Sequence, residues 1–302
     1  MRVWPPVWWS RVRTRDGCAA IRVGRERPAK ADRVDEASDT SAFARRVRTP
    51  AVAGILYPAD AVELGRAVAA LLSRAPQSEP RSPKALIVPH GGLRHSGRVA
   101  ARAFRALDAS TISRVVVAGP AHRQPLDGIA LPEADAFASP LGTVPVDVFG
   151  SAALLSLPWV RRADLPHRRE HALEMQLPFL QLVLARFTLL PMLVGRVSAE
   201  LVAAALRRVW GGPETLVVVT TDLSQHRPYA DARQRDRSTA ERIVRREPGL
   251  APDCACGGTI VDALLLVARE HGLAPELLEL SNSGDSGGDV RRVVGYGAFG
   301  FY

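Results

Sequence analysis

The sequence predicts an α/β domain with a central, mostly parallel sheet flanked by helices. Three observations predict it. Short runs of Val, Leu and Ile recur at Ala85–Val88, Arg114–Ala118, Leu189–Val194 and Leu216–Val219. These runs are continuously apolar rather than alternating, as in strands covered on both faces. Segments of helical length separate them, and that alternation is the order of a parallel sheet with helical crossovers.

Residues 1–47 read differently. Trp4-Pro-Pro-Val-Trp-Trp9 is followed by an Arg-rich stretch without apolar periodicity. It reads as a disordered extension or a misassigned start. No apolar core of signal-peptide length follows its first charges. The body is expected over 48–302. Asp60 and Glu63 resemble a capping box, and Leu64, Val68, Leu71 and Leu72 give a helical stripe. A Pro-rich loop over 76–83 leads to strand Ala85–Val88 and a helix over Gly97–Leu107. Strand Arg114–Ala118 is followed by a loop extending to Asp147. A helix is expected over Glu170–Phe187, then strand Leu189–Val194 and a helix from Ser198, a favoured N-cap residue. Strand Leu216–Val219, helix Ala230–Arg246 and helix Thr259–His271, ended by Gly272, precede a closing strand within Val290–Tyr302.

Composition excludes several classes. Of 302 residues, 47% are hydrophobic and 24% charged, and no apolar run approaches the ~18 residues of a membrane span. Three cysteines cannot staple so long a chain, and they suit a reducing cytoplasm. The net charge of +9 is concentrated in residues 1–48, which carry +6, so no basic stripe on the fold argues for nucleic acid. Neither nucleic acid nor a membrane is expected as a partner.

Three predicted strands end in chemistry: Pro89-His90, Gly-Pro-Ala-His122 and Thr-Thr-Asp222-Leu-Ser-Gln-His226. In open α/β sheets the carboxyl ends of strands converge on the ligand crevice. Imidazoles from separate strand ends, joined by a carboxylate or thiolate, make a transition-metal site. Four of the seven histidines (90, 95, 122 and 226) lie in these segments.

The same segments resemble one family. Arg48-Thr-Pro-Ala-Val-Ala-Gly-Ile-Leu-Tyr-Pro58, Pro89-His-Gly-Gly-Leu-Arg-His-Ser-Gly97, Gly119-Pro-Ala-His122, Ser139-Pro-Leu-Gly142, Glu170-His-Ala-Leu-Glu-Met-Gln-Leu-Pro-Phe-Leu-Gln181, Thr221-Asp-Leu-Ser224, Ala255-Cys-Gly257 and Ser283-Gly-Asp285 resemble, in order, the motifs of the Memo family. Its bacterial form is often called AmmeMemoRadiSam system protein B. The resemblance implies a fold similar to class III extradiol ring-cleaving dioxygenases and a pocket for Fe(II) or copper. It carries the metal ligands onto His90, His122 and Cys256 and places Asp222 beside the metal. A radical-SAM protein and an AMMECR-like protein are the implied partners.

This chain departs from the pattern at one point that matters. The family's Asp-x-Ser-His is Asp222-Leu-Ser-Gln225 here, with His226 one position later. Gln225 cannot act as a base, so His95 or His226 is the expected proton-transfer group. His171 and Glu174, three apart on the expected helix, read as a pair that orients a ligand. The resemblance places Ser283 and Asp285 in a loop beside the pocket.

Two further motifs fail on context. Gly295-Tyr-Gly-Ala-Phe-Gly300 fits a dinucleotide fingerprint, but no helix follows it. Gly284-Asp-Ser-Gly-Gly288 resembles a serine nucleophile segment centred on Ser286, but no following helix makes it an elbow. The expected function is metal-dependent, dioxygenase-like redox chemistry on a small molecule. The alternative is a non-catalytic partner or metal carrier.

Overall fold

The computed structural model describes residues 46–76 and 82–302; of the extension read over residues 1–47, residues 1–45 lie outside them, as do residues 77–81 of the loop expected over 76–83, whereas Val47 already belongs to the fold. Strand β1 (Val47–Arg48) is followed by helix α1 (Ala61–Arg74). The Asp60 carboxylate accepts hydrogen bonds from the N–H groups of Val62 and Glu63. It thereby satisfies donors that a helix start leaves open. Strand β2 (Ala85–Val88) is buried throughout, and α2 (Leu93–Phe104) departs just beyond it. Strand β3 (Arg114–Pro120) comes next. The stretch to Asp147, expected as a loop, contains β4 (Ile129–Leu131), β5 (Ala136–Ser139) and β6 (Gly142–Pro145). Runs of three or four residues are too short to reveal a period.

Helix α3 (Val148–Leu154), β7 (Val160–Arg162) and α4 (Asp164–Arg168) follow. The helix expected over Glu170–Phe187 forms only in part. A 3-10 turn at Glu174–Gln176 leads into α5 (Leu177–Val183). Pro178 has no N–H to give the Glu174 carbonyl, so one continuous ladder cannot form. Then come β8 (Thr188–Val194), α6 (Ala199–Arg208), β9 (Thr215–Thr220), β10 (Gln225–Arg227), α7 (Tyr229–Val244), α8 (Gly258–Glu270), β11 (Pro275–Asn282) and β12 (Val293–Phe301). Ser198 caps α6 through the Leu201 N–H. Gly272, at φ +68°, supplies the left-handed residue that ends α8.

The main sheet runs β10-β12-β2-β9-β3-β8-β4-β7, with β11 on the free edge of β12. Strands β2, β9, β3 and β8 are parallel. Antiparallel pairs β12–β2 and β4–β8 flank them, so the sheet is mixed at its margins and parallel in its middle. Strands β1, β5 and β6 form a separate small sheet. Alternation along the middle strands divides the core. Leu86, Val88, Val115 and Val117 pack with α1, α2 and α5, while Ala85, Ile87, Val116 and Ala118 pack with α6, α7 and α8. Both faces are thus closed, and the carboxyl ends of the parallel strands open on one edge of the layers. Among the described residues, no helix is long and apolar enough to cross a membrane.

One buried carboxylate gives the fold a pH signature. Asp236 on α7 is 1% exposed and accepts a hydrogen bond from the Ser224 N–H at 2.9 Å. Burial raises its carboxyl to about 6 despite that bond. A folded value above the unfolded one means stability present at low pH is lost as pH rises through about 6. Asp236→Asn therefore leaves stability unchanged near pH 4 and raises it by about 1–3 kcal/mol near pH 8. Urea unfolding at the two pH values checks this; an equal gain at both would remove the ionisation argument.

Candidate metal centre

Adjacent parallel strands deliver the first three groups. His90 stands two residues beyond β2, Asp222 two beyond β9 and His122 two beyond β3. Cys256 comes from the turn before α8, and His171 from the turn that precedes α5. Coordinating nitrogens of His90, His122 and His171 all lie within 4.8 Å of one another. The three ring centroids are 5.1, 5.4 and 5.2 Å apart.

The back of each ring is held. His90, 1% exposed, has Nδ1 2.9 Å from Thr220 Oγ1, which also accepts from Gln176 Nε2. Its backbone N–H donates to Asp222 Oδ1. Glu170 serves two histidines. Its Oε1 lies 3.0 Å from His122 Nδ1, and its Oε2 accepts the His122 backbone N–H at 2.7 Å. His171 Nδ1 lies 3.1 Å from the same Oε1, off the line of a hydrogen bond, and is an unpartnered buried donor or acceptor. With Nδ1 of His90 and His122 engaged, Nε2 is the atom each has left to ligate.

Cys256 completes the cluster. Its Sγ is 3.4 Å from His90 Nε2 and accepts a hydrogen bond from the Asp222 N–H at 3.3 Å. A metal with Zn-like bonds of ~2.1 Å to nitrogen and ~2.3 Å to sulfur, at a near-tetrahedral angle, sets those donors about 3.4–3.6 Å apart. The residues present fit a transition-metal ion.

Electrostatics follow from burial and these contacts. Burial, reinforced by His122 and His171, holds the His90 imidazole well below its ordinary value, so it is neutral. Burial pulls His122 down, but hydrogen bonds to Cys256 and Glu170 outweigh it and raise it to about 10. Burial works against the Glu170 anion, yet His122 and His171 hold its carboxyl far below the usual range. Burial raises Asp222 to about 6 against the N–H groups of His90 and Gly91.

Other expected site residues fall elsewhere. Gln225 and His226 are exposed on the short strand β10, and His226 takes a left-handed φ of +55°. His95, in the first turn of α2, has Nδ1 2.7 Å from Ser286 Oγ. Ser283 Oγ accepts from the Val294 N–H, and Asp285 accepts from Tyr229, Ser281 and the Asn282 N–H, so both brace their own loop. The expected His171–Glu174 pair does not form. Glu174 turns away to Arg48, Tyr57 and the N–H groups of Ala51 and Val52, because a turn rather than a helix precedes it. Glu170 was missed as an orienting group; its place beside His171 in the motif was the available signal.

An imidazole cluster with a cysteine, set at the carboxyl ends of parallel strands, defines an α/β protein with a candidate metal centre. A family model described as Memo-like protein matches residues 48–299. A MEMO1 family protein of Aquifex aeolicus is 32% identical over 266 residues, covering 83% of this chain and 97% of its own. One from Methanopyrus kandleri, MK0963, is 31% identical over 278 residues, covering 84% and 98%. The chain belongs to the Memo family. A solved structure of the uncharacterized protein JW3007 from Escherichia coli K12 overlaps 72% of this chain and 99% of its own, at a TM-score of 0.44 and 10% identity.

Proposed function

We propose that His90, His122 and Cys256 hold one transition-metal ion, Fe(II) or copper, and that the protein carries out dioxygenase-like oxidoreductase chemistry on a small molecule. The observation that carries this reading is the 3.4 Å spacing of His90 Nε2 and Cys256 Sγ beside the His122 ring. When bound, such an ion supplies redox chemistry and open coordination positions.

The chain's own residues prepare the place. Thr220 and Gln176 fix the His90 ring, and Glu170 fixes His122. The Asp222 N–H donates to the Cys256 sulfur and holds it facing the His90 ring. Asp222 Oδ1 is occupied by two backbone N–H groups, leaving Oδ2 to take or give a proton. A carboxyl raised to about 6 changes protonation close to neutral pH, as a general acid or base needs. His95 and His226 are engaged or exposed elsewhere, so the geometry favours Asp222 for this work.

Anaerobic purification with metal analysis of wild type and the His90→Ala/His122→Ala double variant tests the reading. About one ion per chain is expected in the wild type and almost none in the variant. Full occupancy in the variant would place the metal elsewhere.

The exposed positions of Gln225 and His226 favour a second reading. In it the protein is a non-catalytic partner or metal carrier working with a radical-SAM protein and an AMMECR-like protein. Co-purification of those two proteins, unchanged by His90→Ala and Cys256→Ala, would support it.

A further inference from the structure

We propose that Ser286 is a nucleophile, with His95 as its general base, that accepts the acyl group of a small carboxylic ester. The two residues are 191 positions apart, and the fold sets His95 Nδ1 2.7 Å from Ser286 Oγ. That is the reach of a nucleophile–base pair. Both side chains are half-buried, so a small ester can reach them while bulk water is partly excluded.

The turn that presents Ser286 is built rather than loose. Residues Ser283–Ser286 form one 3-10 turn closed at both ends. Asn282 Oδ1 accepts the Gly284 N–H at 2.9 Å, and Asp285 Oδ2 accepts the Asn282 N–H at 3.1 Å. Tyr229 and Ser281 hold the Asp285 carboxylate from outside, at 2.6 and 2.8 Å. Gly287 then takes φ +84°, a conformation that strains other residues. At Gly288 a Cβ would stand 2.7 Å from the Ser283 carbonyl oxygen. The glycines of the Gly-Asp-Ser-Gly-Gly segment therefore have a physical reason, and they leave Ser286 on a fixed support.

That segment fails as an elbow because β12, not a helix, follows it. What the sequence lacked was a base within reach, and α2 supplies one. A groove of about 300 Å³ is lined by residues that include Asn282 and Asp285 of the same turn, although Ser286 and His95 are not among them. Its size suits a small acyl group. The Ser286 hydroxyl donates to the Ser283 carbonyl oxygen at 2.9 Å, so its one proton must turn to His95 Nδ1 for the transfer.

In the reaction Ser286 Oγ bonds to the ester carbonyl carbon while its proton passes to His95 Nδ1. The carbon–alkoxide bond then breaks, and the leaving alcohol takes that proton. Water hydrolyses the acyl-serine, regenerating Ser286 and releasing a carboxylic acid.

A fluorophosphonate tests this on the full-length protein. Its phosphorus bonds to Oγ as fluoride leaves and the hydroxyl proton is lost. Intact mass and peptide mapping are expected to place one adduct on Ser286. His95→Gln is expected to label about 100-fold more slowly or worse, with an unchanged melting curve. p-Nitrophenyl acetate hydrolysis is expected to fall in parallel. No adduct, an adduct on another residue, or an unchanged labelling rate in folded His95→Gln overturns the proposal. The wild-type peptide map decides the matter even where a variant fails to fold.

Discussion

Replacing Cys256 with alanine is expected to abolish metal binding at the proposed site, whereas replacing His171 is expected to leave most of it intact. Both residues border the His90–His122 pair, and the argument turns on what each is free to do. Cys256 Sγ faces His90 Nε2 at a spacing two ligands of one ion would have, and the Asp222 N–H donates to it. His171 stacks on His122 and stands against the Glu170 carboxylate, where it can help orient its neighbour. Loss of an orienting group costs about 10–100-fold in metal affinity, and loss of a ligand costs more. Competition titration against a chromophoric chelator should show at least a ~100-fold weakening for Cys256→Ala and about 10-fold for His171→Ala. The reverse order would make the centre a three-imidazole one, which the 4.8 Å clustering of the histidine nitrogens also permits.

Much of the fold was legible because the middle strands are covered on both faces. Ala85–Val88 and Thr215–Thr220 are buried at every residue, so nothing polar interrupts their runs. Strands β4, β5 and β6 were invisible because their pairing partners, not their own three or four residues, make them strands. Leu173, Leu177 and Leu180 keep a helical spacing across Glu170–Phe187, yet Pro178 divides the ladder. That division turned His171 into the cluster and Glu174 out of it. The strand-end positions of His90, His122 and Asp222 were readable, because topology alone carries them to one edge. Side-chain direction was not. His226 follows Gln225 into a left-handed, exposed position that no spacing rule predicts, and His95 meets Ser286 only through tertiary packing.

Glu170 and Glu174 share one motif but stabilise different things, and Glu174→Ala separates them. Glu174 is 0% exposed and pairs with the Arg48 guanidinium, itself 8% exposed. It also accepts the Ala51 and Val52 N–H groups, at 2.8 and 3.0 Å, and the Tyr57 hydroxyl. Burial and the neighbouring carboxylate together push the Tyr57 hydroxyl far above its usual value, which keeps it a donor at any ordinary pH. Arg48 spends its remaining donors on the carbonyl oxygens of His167 and Glu170 and lies over the Phe137 ring. Removing the carboxylate leaves a buried cation, two backbone donors and a phenol without their acceptor. Breaking a buried pair from one side costs about 3–5 kcal/mol. For a domain of this size that lowers the melting temperature by about 10 °C. Metal affinity, measured well below that temperature, should stay within about 3-fold of wild type, because Glu174 touches no group of the cluster. A melting curve that barely moves, with the metal lost instead, would restore the pairing with His171 that the sequence spacing predicts. The expected result makes Glu174 the anchor that ties β1 and the segment after it to the turn carrying Glu170 and His171. The candidate metal centre then depends on it only through the fold.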